Sequence, residues 1–195
     1  MDGLRGGRMD LMPNNPIAYH FDERLKMSQG ISENVSIITI LLEQIPGAVN
    51  AHAAHEKNDR NGVDFWVEHA SGKHIGIDCK VREEDWALRG HDDVALETFS
   101  VVEKNIHGWT LNDSKRTDYI LWFWKETGRW MLVPFPMLCA VFTKNMGKWK
   151  SIYKTARQKT PRFNGQAYHS ECVFVPRREL WAAIYQEFSG DPKFS

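Results

Sequence analysis

GVDFWVEHASGKHIGIDCKVR, residues 62–82, alternates apolar and polar positions in two runs on either side of Ala70-Ser71-Gly72. That period of two, interrupted by a glycine-bearing trio, predicts an antiparallel hairpin. Val63, Phe65 and Val67 make one face of the first strand; Ile75, Ile77, Cys79 and Val81 make one face of the second. Opposed residues in a hairpin share a face, so the two apolar sets coincide only if paired positions sum to an even number, which a three-residue loop supplies. Gly72, third in that loop, suits the left-handed residue on which such loops close. The register then sets Asp64 opposite Asp78, with backbones roughly 5 Å apart. Asp64, Asp78 and Lys80 gather on the polar face.

Opposed like charges cost stability, and strands disfavour aspartate. Two readings of the polar face follow. In one it is a solvated surface with an Asp–Lys pair, a common arrangement of little energetic value. In the other, Asp64, Asp78 and the main-chain carbonyl of Cys79 are hard oxygen ligands for Mg²⁺, with Mn²⁺ as a substitute. Lys80, on the same side, then orients or activates a water and offsets charge developing on a phosphate.

The order of a helix bearing Glu33, then Gly62-Val63-Asp64, then Asp78-Cys79-Lys80 resembles the PD-(D/E)xK nuclease superfamily over roughly residues 30–140. The resemblance implies an α/β fold of the restriction-endonuclease-like type, a mixed β-sheet of about four to five strands flanked by helices. It matches Asp64 to the first motif acid, Asp78 to the second, Lys80 to the motif lysine and Glu33 to an auxiliary helix ligand. Val63 stands where the motif name has proline. The implied function is a Mg²⁺-dependent endonuclease hydrolysing phosphodiester bonds, with DNA the favoured substrate and phage, bacterial or junction-resolving members the nearest in pattern. The alternative is a nucleic-acid-binding or inhibitory protein on the same fold without hydrolysis. Cutting two strands needs two sites, so a homodimer is expected. Asp78→Ala and Lys80→Ala are expected to abolish cleavage with the fold nearly intact.

Outward from this centre, Ile31, Val35, Ile38, Leu42 and Ile45 have helical spacing, with Pro46-Gly47 as a stop. Ile37, Ile40 and Leu41 make the other side apolar as well, and Glu33 is expected to point away from the main stripe. Residues 93–100, DVALETFS, predict a third strand on which Glu97 can face the same site or be an edge carboxylate. TDYILWFW, residues 117–124, predicts a central strand apolar on both faces, with WMLVPFP after it closing a second hairpin or edge. Ser100, Lys104, Trp109 and Lys115 fall between strands and can line a cleft, with ordinary loop residues the favoured reading of each.

The chain of 195 residues is 42% hydrophobic, enough for one domain, expected over residues 17–195 behind a lead-in at 1–16. Its 25 basic and 25 acidic residues cancel, so any electrostatic site is a local patch. One such patch is KNMGKWKSIYKTARQKTPR, residues 144–162, with seven basic and no acidic side chains. The spacing of Met146, Trp149, Tyr153 and Ala156 predicts an amphipathic helix with a basic face. Lys144, Lys148, Lys150, Lys154, Arg157, Lys159 and Arg162 are the expected contacts to a nucleic-acid backbone.

Cys79, Cys139 and Cys172 are odd in number and widely spaced, which predicts free thiols rather than a disulfide or zinc framework. His52 and His55 lack a third ligand nearby in sequence. No phosphate loop or nucleophile elbow is present. The absence of an apolar run of about 18 residues or of a signal-peptide pattern predicts a cytoplasmic protein with no membrane partner.

Overall fold

The computed structural model describes residues 33–54, 62–112, 115–161 and 167–189. The backbone divides into two compact units, residues 1–37 and 38–195. The expected lead-in at 1–16 lies outside the described residues.

Helix α1 covers residues 33–44. Its buried positions are Ile37 and Leu41, continued by Ile45, a single i, i+4 row. Val35 and Leu42 are 59% and 39% exposed, so the expected stripe through Val35, Ile38 and Leu42 is not the buried one. Both sides of this helix are apolar, and only packing chooses between them. By the same period Glu33, four residues before Ile37, falls on that row and off the stripe through Val35, Ile38 and Leu42.

Among the described residues, the second unit adds nine strands: β1 (Ala48–Ala53), β2 (Phe65–His69), β3 (His74–Arg82), β4 (Asp93–Val101), β5 (Ile106–His107), β6 (Tyr119–Trp124), β7 (Arg129–Pro134), β8 (Thr155–Pro161) and β9 (Ala167–Pro176). Helix α2 (Phe135–Ile152) follows β7 directly, and α3 (Arg177–Phe188) follows β9. Five strands form a mixed sheet in the order β1-β2-β3-β6-β7, with β3 and β6 parallel and the other neighbours antiparallel. This is the expected mixed sheet. The other four form a second, antiparallel sheet in the order β5-β4-β9-β8. The strand predicted at DVALETFS therefore exists, but in a sheet of its own.

The decisive hairpin has the expected register. Phe65 pairs with Ile77, Val67 with Ile75 and Glu68 with His74. The His69 N–H donates to the Lys73 carbonyl at 2.9 Å, which leaves Ala70, Ser71 and Gly72 as the loop. Gly72 takes φ +80°, a conformation an L side chain resists.

The basic segment departs from expectation. Residues 144–162 are not one helix: α2 stops at Ile152, and Thr155–Pro161 is a strand paired with β9. Arg157 lies opposite Glu171 in that ladder. Glu171 is buried, and its carboxylate accepts from Arg157, Lys150 and Thr98. Burial pushes the Glu171 carboxyl up, but those three hydrogen bonds outweigh it and hold the group below its ordinary value. A cross-strand ion pair to a buried acid, with Pro161 ending the segment, overrides the weak helical period.

The largest core cluster joins Val94 and Leu96 of β4, Ile120, Trp122 and Trp124 of β6, residues of β7 and β9, and the inner faces of α2 and α3. Val63, Phe65, Val67 and Ile77 are buried outside that cluster. Among the described residues, no helix is long and apolar enough to cross a membrane.

Candidate active site

Parallel pairing sets Asp78 beside Ile120, Lys80 beside Trp122 and Arg82 beside Trp124. Paired residues share a face, so the charged row of β3 lies on the side of the sheet that packs against β4 and β9. Asp78 is only 2% exposed. The surface salt-bridge reading therefore does not hold for this face.

Asp78 is flanked by two ammonium groups. Lys115 donates to its Oδ2 at 2.8 Å. Lys80 Nζ stands 2.5 Å from Oδ1, an ion pair that lacks hydrogen-bond alignment, so Oδ1 has no aligned donor among the described residues. Both lysines lie over the Trp109 ring, at 4.9 Å for Lys80 and 5.7 Å for Lys115. Such cation–π contact holds the ammoniums against the site while their stems run along apolar surface. Gly62 lies against the Lys115 side chain and takes φ +70°, a conformation an L side chain resists.

Asp64 stands one residue before β2, beyond the last Phe65–Ile77 rung. Its N–H donates to the Ile77 carbonyl at 2.8 Å, and its Oδ2 accepts the Cys79 N–H at 2.7 Å. The expected direct opposition to Asp78 is thus altered: β2 ends, and the Asp64 carboxylate takes up a β3 main-chain donor that β2 no longer pairs. Gly76 and Arg82 direct their carbonyls to the β6 side, accepting from Asp118 and Lys125. Ile77 and Cys79 are directed to the β2 side, so the Cys79 carbonyl shares an edge with Asp64.

Glu97 comes from β4 and is half-buried. Burial raises its pKa above the ordinary 4.5, opposed by a hydrogen bond from the Trp109 N–H and by the charges of Lys80 and Lys115. That N–H reaches Glu97 Oε2 at 2.9 Å, and Gly108 permits the approach, since a Cβ there would meet the Glu97 carbonyl at 2.4 Å. A carboxyl that holds its proton more tightly when folded loses stability as pH rises from 4.5 through its raised value. Glu97→Gln is accordingly expected to melt higher than the parent at pH 8, with the difference shrinking toward pH 4. Thermal melts across that range check it, and a constant offset would remove titration of Glu97 as the cause.

Of the sequence candidates, the fold brings Asp64, Asp78, Cys79, Lys80 and Glu97 to one region. Glu33 belongs to the first unit, residues 1–37. The seven basic residues do not make one face. Lys144 pairs with Glu187, and Lys150 and Arg157 pair with Glu171. Lys154 lies over the Phe174 ring, Lys148 and Lys159 are exposed, and Arg162 is outside the described residues. Lys115 and Trp109, read from sequence as ordinary loop residues, belong to the site; no local periodicity marks them, because their partners are on β3 and β4. Ser100 and Lys104 stay outside it, the Ser100 hydroxyl donating to the His107 carbonyl.

Among the described residues, no three His, Cys, Asp or Glu side chains converge as a metal-binding group. His52 lies 3.8 Å from Glu68, and His55 is outside the described residues. None of the three cysteines is in a disulfide, and burial pushes the Cys172 thiol up to about 11. Comparison with family models, curated proteins and solved structures returned no match.

Proposed function

We propose that this protein is a metal-dependent endonuclease that hydrolyses phosphodiester bonds, with DNA as substrate. The observation that carries the reading is that Asp64 accepts the Cys79 N–H at the β3 edge where β2 ends, while Lys80 and Lys115 flank the neighbouring Asp78 and place their charges near Glu97.

The donors fit a hard divalent cation. Two carboxylates and a carbonyl are oxygen ligands of the kind Mg²⁺ and Mn²⁺ take, and Asp78 Oδ1 is a buried acceptor without an aligned donor. A bound cation supplies phosphate polarisation and a lowered pKa for an attacking water. Around it, Asp64 and Asp78 hold position through main-chain and lysine contacts, while Lys80 neutralises charge developing on the phosphate. Lys115 contributes a second positive charge to the same anion, and Trp109 covers both ammoniums on one side. Glu97, whose pKa burial raises, is placed beside Lys80 and Lys115 to accept or return a proton. A homodimer provides the second site for cutting a duplex in this reading.

The test is incubation of the purified protein with supercoiled, linear, single-stranded and branched DNA in Mg²⁺, Mn²⁺ or EDTA, with Lys80→Gln and Asp64→Asn alongside. Cleavage is expected only with metal and at least a hundredfold slower in either variant. Chelator-resistant cutting, or undiminished cutting by both variants, would overturn the assignment.

A further inference from the structure

On the site-bearing face of β3, Arg82 follows Lys80 by two residues, about 7 Å along the strand. Beside them in the ladder stand Trp122 and Trp124. On β4, Asp93, Ala95 and Glu97 alternate with the core residues Val94 and Leu96 and so share one face. The β3 and β4 rows have Lys80 and Glu97 at one end. At the other end, where Arg82 and Asp93 stand, is a cavity of about 310 Å³.

Its walls include Arg82, Trp86, Asp93, Ala95, Trp122 and Phe174. That volume lies at the small-ligand end of the range for binding sites and suits a planar ring with its sugar. Three features of the walls specify such a ring. Trp86 is 54% exposed, with the Arg89 guanidinium over its ring at 5.1 Å and His91 against it. It offers a stacking surface that the core does not use. Trp122 is buried, and its Nε1–H has no acceptor among the described residues, a donor that a ligand acceptor would satisfy. Asp93 supplies the complementary acceptor; burial raises its pKa against the opposing charges of His91 and Lys154, which marks a carboxylate short of solvent. A nucleobase presents a π-face with both donors and acceptors on its edge.

We propose that this cavity receives an unpaired nucleobase from the nucleic acid whose phosphate lies at Lys80 and Lys115. The inference rests on the nuclease reading and narrows its substrate class. A base held in a duplex stack must be extruded to enter such a cavity, so single strands, flaps and junctions with unpaired nucleotides are the preferred substrates.

The test uses single-stranded DNA carrying one 2-aminopurine, titrated with protein in EDTA so that no cutting intervenes, and free 2-aminopurine nucleotide in a second arm. Stacking on tryptophan is expected to quench the probe in the oligonucleotide. Trp86→Ala, at an exposed position, is expected to weaken that response about tenfold, and Ala95→Leu, which fills the cavity, to remove it. An unchanged emission, or quenching untouched by both substitutions, would overturn the proposal. Equal affinity for the free nucleotide would overturn its assignment to nucleic acid. Cleavage without any probe response defeats this inference alone, whereas probe binding without metal-dependent cleavage defeats the nuclease reading.

Discussion

Asp78→Ala is expected to lower the stability of the protein by about 3 kcal/mol, in addition to abolishing cleavage. The carboxylate is 2% exposed, while Lys80 and Lys115, its partners, are 23% and 15% exposed as side chains. Removing it leaves two ammoniums together beside Trp109 with no counter-charge on Asp78, and breaking a buried pair from one side costs more than the pair itself contributes. This reverses the expectation from sequence that the variant keeps its fold nearly intact, which treated the polar face as accessible. Urea unfolding of the single variant and of Asp78→Ala with Lys115→Met provides the check. Removing the second charge should restore a large part of the loss, a coupling that contacting residues show and distant ones do not. Additive losses would mean that the lysines gain nothing from Asp78. The loss of cleavage in Asp78→Ala is interpretable only at temperatures where the variant remains folded, which is why Lys80→Gln and Asp64→Asn are the better catalytic variants.

Lys115→Gln is expected to separate metal binding from catalysis. In the structure Lys115 donates to Asp78 Oδ2, the oxygen set that a divalent cation would need. An ammonium and a cation compete for that carboxylate, so removing the lysine charge should tighten Mn²⁺ binding about tenfold, on the order of 1.4 kcal/mol of Coulomb repulsion at an effective dielectric near that of a protein surface. Cleavage should fall about a hundredfold at saturating metal, because the second positive charge facing the phosphate is gone. Mn²⁺ titration without substrate reads the first quantity and single-turnover cleavage the second. A variant that binds Mn²⁺ more weakly would instead make Lys115 a support of the metal ligands, and a variant with full activity would confine it to charge balance.

The hairpin at 62–82 shows why part of the site is legible in the chain. Alternation decides which residues share a face, and the length and left-handed glycine of the Ala70-Ser71-Gly72 loop decide the register, all within 21 consecutive residues. Asp78 and Lys80 had to be neighbours on one side of β3 whatever the rest of the chain did. The three cysteines outside any disulfide and the core position of Trp149 are similarly local consequences of composition and period.

Alternation does not say what covers a face. The polar face of β3 became the inner one only because β4 and β9 form a second sheet over that side, and the fold brought Lys115 to Asp78, with Trp109 and Glu97 of β4 beside the two lysines. Long-range pairing likewise turned the end of the basic segment into a strand, in whose ladder with β9 Arg157 stands opposite the buried Glu171. The same holds for α1, apolar on both sides, whose buried row was chosen by packing rather than by period. What the sequence determined by itself was the order of charges along one strand; what only the tertiary structure decided was their burial and their partners, because desolvation and ion pairing depend on atoms far apart in the chain.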